Sequence, residues 1–201
     1  MDTLIKDSID KGITYHEYGK LIEKLVAKEQ TTGKEQSETR IDFTRLNARR
    51  MKRLDKTIVL TEEDRNVFKK IQEKQTWLII IESWCGDGAQ TIPVLNKIAE
   101  TTSFIDLKIV LRDENIELMN QFLTNGTQSI PKLIIVDQDN NVLHTWGSRS
   151  KSATALVTAY KNEHGKIDEV FKKNLQIWYN KDKGKSIIKD VSELMITAPL
   201  A

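Results

Sequence analysis

The sequence predicts an α/β fold, a central mixed β-sheet flanked by helices, with helical extensions at both ends. Three observations lead there. Residues 77–81, Trp-Leu-Ile-Ile-Ile, form a continuous apolar run suited to a strand covered on both faces, and residues 107–111 read the same way. Between them Ala89, Ile92, Leu95, Ile98 and Ala99 recur at helical spacing, which makes a βαβ unit with parallel strands. Before residue 76 and after residue 149 only helical periodicity remains.

Thr14-Tyr15-His16-Glu17 is a capping box with Ile13 and Tyr18 as its staple. It opens a helix whose stripe of Tyr18, Leu21, Ile22, Leu25 and Val26 must bury itself against its own domain or another chain. A polar linker over residues 31–39 interrupts the pattern, and a helix over 43–54 follows. That helix carries Arg45, Arg49, Arg50, Lys52 and Arg53. The basic run is spread around the helix without an aromatic platform, so it reads as a solvated face and not as a nucleic-acid surface. Thr61 to Asp64 cap one more helix, with Val67, Phe68 and Ile71 inward. Beyond the βαβ unit, Ile116, Met119, Phe122 and Leu123 mark a helix closed by Asn125-Gly126. Residues 133–136 and 142–146 then flank Asp139-Asn140-Asn141 as a hairpin, giving the order βαβαββ. Leu156, Val157 and Tyr160 mark one C-terminal helix and Ile167, Val170, Phe171, Leu175 and Trp178 a second, after which the last 20 residues are expected to be the least ordered.

Composition narrows the function. The 201 residues include 39% hydrophobic and 30% charged, with 31 Lys+Arg against 29 Asp+Glu, a balance that provides no global field for nucleic acid or an anionic membrane. The five-residue run at 77–81 is far short of a membrane span, which needs about 20. The start, Met1-Asp2-Thr3, has no export signal, so a cytoplasmic location is expected. His16, His144 and His164 show no ligand spacing, so no metal is expected. The single cysteine, Cys85, excludes an intrachain disulfide and a cysteine-rich metal site. It stands where the first strand ends and a helix begins, in Ser83-Trp84-Cys85-Gly86-Asp87-Gly88, and a helix N-terminus favours a thiolate. That position favours a reactive site over a structural thiol.

Trp84-Cys85-Gly86 resembles the start of the Trp-Cys-Gly-Pro-Cys motif of the thioredoxin family. Pro93, eight residues past the cysteine, is similar to the proline within that family's active-site helix, Ile130-Pro131 to its Ile/Val-Pro pair, and Gly147 to its glycine after the last strand. The resemblance spans about residues 62–163. It implies a thioredoxin fold over residues 61–163, between a helical extension at 1–60 and another at 164–201. It also implies a cis bond before Pro131, with this loop against the thiol so that its backbone can pair with a peptide or thiol substrate. The chain also resembles a bacterial thioredoxin-like group with a helical N-terminal extension and a Trp-Cys-Gly-Asp active site.

Departures from the motif direct the expected chemistry. Asp87 stands in place of proline, Gly88 in place of the second cysteine, and Ile79 where thioredoxins keep a buried acid. A dithiol cycle is therefore unavailable, and Cys85 is expected to act as the nucleophile of a monothiol thiol–disulfide oxidoreductase. Its mixed disulfide would be resolved by an external thiol such as glutathione; no bound cofactor is expected. The partner would be a protein or small-molecule disulfide, with Trp84, Gly86, Asp87, Ile130 and Pro131 on the substrate side. Repulsion from Asp87 and attraction by the helix terminus are each about 1 kcal/mol, which leaves the direction of the Cys85 pKa shift open. The alternative is a non-catalytic binding or scaffold module, with the N-terminal helices as a means of association between copies. Cluster binding like that of monothiol glutaredoxins is disfavoured, because Asp87 and Gly88 replace that family's Phe and Ser.

Overall fold

Helix α1 (Asp2–Lys11) is followed by α2 (Tyr15–Ala27), which Thr14 opens through the expected capping box: Thr14 N donates to Glu17 Oε2 at 2.8 Å and Glu17 N to Thr14 Oγ1 at 3.3 Å. Helix α3 (Glu38–Thr57) is longer than its apolar pattern suggests, and a second capping box, Thr61 with Asp64, starts α4 (Glu62–Phe68). The structure, a computed structural model, describes residues 2–197; the expectations for Met1 and residues 198–201 lie outside them.

The sheet contains β1 (Gln75–Ile81), β2 (Ile105–Leu111), β3 (Lys132–Val136) and β4 (Val142–Gly147) in the order β2-β1-β3-β4. Strands β1 and β2 are parallel and joined by α5 (Gly86–Ala99), whereas β3 runs antiparallel to both β1 and β4. Helix α6 (Ile116–Gln121) precedes β3, so the expected βαβαββ order is present. One register row runs Ile109, Ile79, Leu133, Trp146 across all four strands. Leu78 to Ile81 are wholly buried, as their uninterrupted apolar run requires. On the outer edge of β2, Ile13 N donates to Ile109 O at 2.9 Å and Ile109 N to Ile13 O at 2.8 Å, which covers part of an edge otherwise open to pairing.

Both extensions send side chains into the main core, and Leu175 and Tyr179 form a smaller cluster with Ala153 and Val157. Ile5, Tyr18, Ile22, Met51 and Leu54 enter the main core from the N-terminal side. Tyr18 and Ile22 of the α2 stripe thus find their cover within the chain, while Leu21, Leu25 and Val26 stay partly exposed. The C-terminal side adds α7 (Lys151–His164), α8 (Glu169–Asp182) and α9 (Lys185–Ile196). The last of these corrects the expectation of a poorly ordered tail. Ile187, Ile188 and Val191 of α9 are buried in the main core, and Asp190 Oδ2 accepts from Trp146 Nε1 at 3.2 Å and Lys151 N at 2.7 Å. The polar stretch at 181–185 is a left-handed turn at Lys183 and Gly184, and the amphipathic helix resumes after it.

Candidate active site at the start of helix α5

Cys85 is the N-cap of α5, immediately after the turn that leaves β1. Gly88 N donates to its Sγ at 3.4 Å, and the thiol donates to Ile130 O, also at 3.4 Å. The Ile130–Pro131 bond is cis, as the resemblance implies. Strand end, helix start and proline loop therefore meet at one sulfur. Gly147, at φ +118°, lets the end of β4 close against the same loop: a Cβ there would lie 2.2 Å from Pro131 O.

The thiol is hidden, with Cys85 only 8% exposed. Burial, then the Asp87 charge, push its pKa up to about 12; the N–H groups of Gly88 and Asp87 and the Arg149 guanidinium oppose them without prevailing. The direction that the sequence leaves open is thus upward, because removal from water outweighs the contest between the helix terminus and Asp87.

Asp87 does not sit at the surface of the first helical turn. It is buried, and Tyr179 Oη donates to its Oδ1 at 2.9 Å while Arg149 Nη2 lies 2.6 Å from its Oδ2. Burial pushes the Asp87 carboxyl up; Arg149 is the largest influence pulling it down, assisted by the Tyr179 hydrogen bond and Arg50. One turn further, Gln90 Nε2 donates to Gln176 Oε1 at 2.9 Å, so α8 lies over the start of α5.

Residues just before the cysteine face the N-terminal segment. Ser83 Oγ lies 3.1 Å from Thr31 Oγ1 and 2.9 Å from Thr44 Oγ1, and Thr32 N and Oγ1 both donate to it at 3.1 Å. Asn47 Nδ2 donates to Ser83 O at 2.8 Å. The polar stretch at 31–39 is therefore no free linker, since Thr31 and Thr32 are buried against the turn before Cys85. Trp84 is half-buried with Arg40 and Arg112 on its ring, 4.4 and 5.1 Å from the centroid. These guanidinium contacts give the Trp84 ring, next to Cys85 in sequence, cationic neighbours. Glu82 is buried, with Oε1 accepting from Asp113 N at 2.8 Å and Oε2 lacking a partner.

A family model described as thioredoxin matches residues 33–161, well over half of the chain. The chain belongs to the thioredoxin family. Two solved structures are similar to this thioredoxin-family chain along nearly its whole length. One is a protein of unknown function from Pseudomonas aeruginosa, with a TM-score of 0.61, 16% identity and 93% of each chain covered. The other is an HIV epitope scaffold, with a TM-score of 0.56, 17% identity, and 91% of this chain and 98% of that one covered. At such identities the likeness is one of fold, a thioredoxin fold with helical extensions. No curated protein matches the sequence significantly.

The thioredoxin fold brings Cys85, Ile130 and Pro131 together, whereas Asp87 turns into a cluster of its own with Arg149 and Tyr179. Sequence reasoning misses Arg50, Arg149, Gln176 and Tyr179. Arg50 lies within a run whose Arg49, Lys52, Arg53 and Lys56 are indeed exposed, and only its half-burial next to Asp87 distinguishes it. Tyr179 could have been noticed as a polar-tipped residue four positions after Leu175, on the inward face of α8. Gly86 faces Gln176 and Arg50, and a Cβ on it would lie 3.3 Å from Gln176 Nε2. Gly88 is closed more firmly: its Cβ would lie 2.2 Å from Ile81 Cδ1, so a second cysteine cannot enter there while Ile81 keeps its place. Among the described residues no group of three or more His, Cys, Asp or Glu side chains is placed to hold a metal, and no helix is long and apolar enough to cross a membrane.

Proposed function

We propose that this thioredoxin-family chain is a monothiol thiol–disulfide oxidoreductase with Cys85 as nucleophile, in the Trp-Cys-Gly-Asp style of the bacterial group it resembles. The observation that carries the reading is the sulfur at a helix N-cap, 3.4 Å from Ile130 O beside a cis proline, where an incoming disulfide meets backbone on one side and helix N–H groups on the other. The Cys85 thiolate attacks one sulfur of a disulfide R–S–S–R′. A Cys85–S–S–R bond forms, and R′–S⁻ leaves with the bonding pair and takes up the proton that Cys85 has lost. An external thiol, glutathione or one of similar size, then attacks the R sulfur as thiolate, returning the cysteine and leaving a disulfide between R and itself. No net oxidant is required, only exchange. Such a cycle suits a reducing compartment such as the cytoplasm.

With a pKa of about 12 the thiol is almost wholly protonated at neutral pH, so exchange proceeds from a state in which substrate or motion of α8 relieves its burial. The same burial favours a second reading, a binding module in which Cys85 is inert and the proline loop holds an extended peptide. Association of copies in that reading needs a surface other than Tyr18 and Ile22, which the chain itself buries.

Iodoacetamide alkylation across pH 7 to 11, with mass spectrometry after oxidised glutathione, separates the two. The oxidoreductase reading expects alkylation that keeps accelerating across the whole range and a single glutathione adduct removed by excess thiol. A folded chain that takes no adduct at pH 9 selects the binding module.

A further inference from the structure

Away from Cys85, a cavity of about 1060 Å³ opens between α2 and α3 and reaches the start of β2 and the flank of α5. Its volume is just above the range of about 300–1,000 Å³ usual for small-molecule sites. Val26 and Ala48 supply partly exposed apolar wall, and Ile22, Met51, Leu54 and Leu107 form the largely covered floor beneath them. Tyr15 Oη donates to Asp55 Oδ1 at 2.5 Å, linking α2 to α3 at the lining.

Two independent features point to an occupant. The first is Gly19. A glycine within a helix costs conformational entropy relative to alanine. Gly19 lines this cavity in the interior of α2, and a Cβ on it would meet nothing within 4 Å, so no neighbour in the chain requires glycine there. The second is charge. Of the lining cations, Lys97 pairs with Glu100 at 3.1 Å and Arg45 with Asp42 at 2.6 Å. Lys20, Arg49 and Lys52 are exposed and lie outside any ion pair among the described residues, against one unpaired lining acid, Glu23. An apolar interior under a cationic rim selects a ligand with a long apolar body and an anionic head.

We infer that this cavity binds a free long-chain carboxylate, its chain between α2 and α3 beside Gly19 and its head among Lys20, Arg49 and Lys52. Binding here is separate from exchange at Cys85 and stands whether or not that thiol is reactive.

Titration calorimetry on the full chain with dodecanoate, below its micelle-forming concentration, tests it against dodecanol, which has the same chain without the charge. The expected result is saturable binding at one site, at least tenfold tighter for the carboxylate and weakened by added salt. Gly19→Leu, which fills the cavity, should abolish binding of both. K20E/R49E/K52E, confined to exposed side chains, should weaken the carboxylate at least tenfold and leave the alcohol unchanged. Circular dichroism verifies the fold of each variant. Absence of saturable binding, equal affinity for the alcohol, or full binding by Gly19→Leu would overturn the proposal. So would a concentration-dependent dimer that Gly19→Leu dissociates, since the groove would then belong to a second copy.

Discussion

The turn that carries Cys85 has two flanks of different chemistry. On the N-terminal side Ser83 is held by hydroxyls, an amide and backbone from Thr31, Thr32, Thr44 and Asn47, all without formal charge. On the C-terminal side Asp87 is held by Arg149 and Tyr179, beneath α8. A neutral network fixes position and does not respond to pH, whereas a buried charge next to a thiol adds to the effect of burial on its proton affinity. The two extensions contribute differently: the first places the turn through uncharged groups and adds Arg50 near Asp87, and the second shapes the surroundings of Asp87 through Tyr179 and the cover of α8.

The largest effect is expected in a pH series of urea unfolding. The folded thiol titrates near 12 and the ordinary value is 9.0. Between these values the unfolded chain loses the proton while the folded chain retains it, so the Cys85 contribution to stability is complete below pH 9 and lost as pH rises toward 12. The loss is about 4 kcal/mol over that window. Cys85→Ala should flatten the slope by that amount; an identical slope in the two proteins would show that the thiol is not desolvated.

Removal of Arg149 comes next. Arg149→Met strands the buried Asp87 carboxylate and should cost about 3 kcal/mol in denaturant unfolding, the lower end for a broken buried pair because Arg149 is itself partly exposed. Asp87→Asn should have a different signature. It removes the second-largest influence raising the Cys85 pKa, so alkylation at a fixed pH should accelerate. A rate unchanged within twofold would mean that burial alone governs the thiol.

On the neutral flank, Ser83→Ala leaves Thr32 N and the three threonine hydroxyls without their shared partner, an expected loss of about 1–3 kcal/mol. Its alkylation profile should keep the wild-type pH dependence, which distinguishes placement from electrostatics. The smallest effect lies outside both flanks. Gly19→Ala meets open space and should raise stability by about 0.5–1 kcal/mol by thermal unfolding.

Legibility in the sequence followed the range of each interaction. Residues 77–81 announce a central strand because every side chain is apolar, and Thr14 and Thr61 announce helix starts because both halves of a capping box lie within four residues. The tail departs from its expected disorder because Lys183 and Gly184 make a turn that resembles an ending, although Ile187, Ile188 and Val191 already carry the next apolar face. The partners of Asp87 were not legible, since Tyr179 lies 92 positions away and nothing local marks either residue as a member of a pair.

By itself the sequence determined the βαβαββ order, the placement of Cys85 at a strand-to-helix junction and the absence of a second thiol, because each depends on periodicity, capping or residue count. Only the tertiary structure decided that the thiol is buried, that Asp87 faces inward to Arg149 and Tyr179, and that both extensions close over the site. The physical reason is that proton affinity depends on how much water and charge surround a group, and those surroundings are assembled from residues 31–47, 130–149 and 176–179, which meet only when the chain is folded.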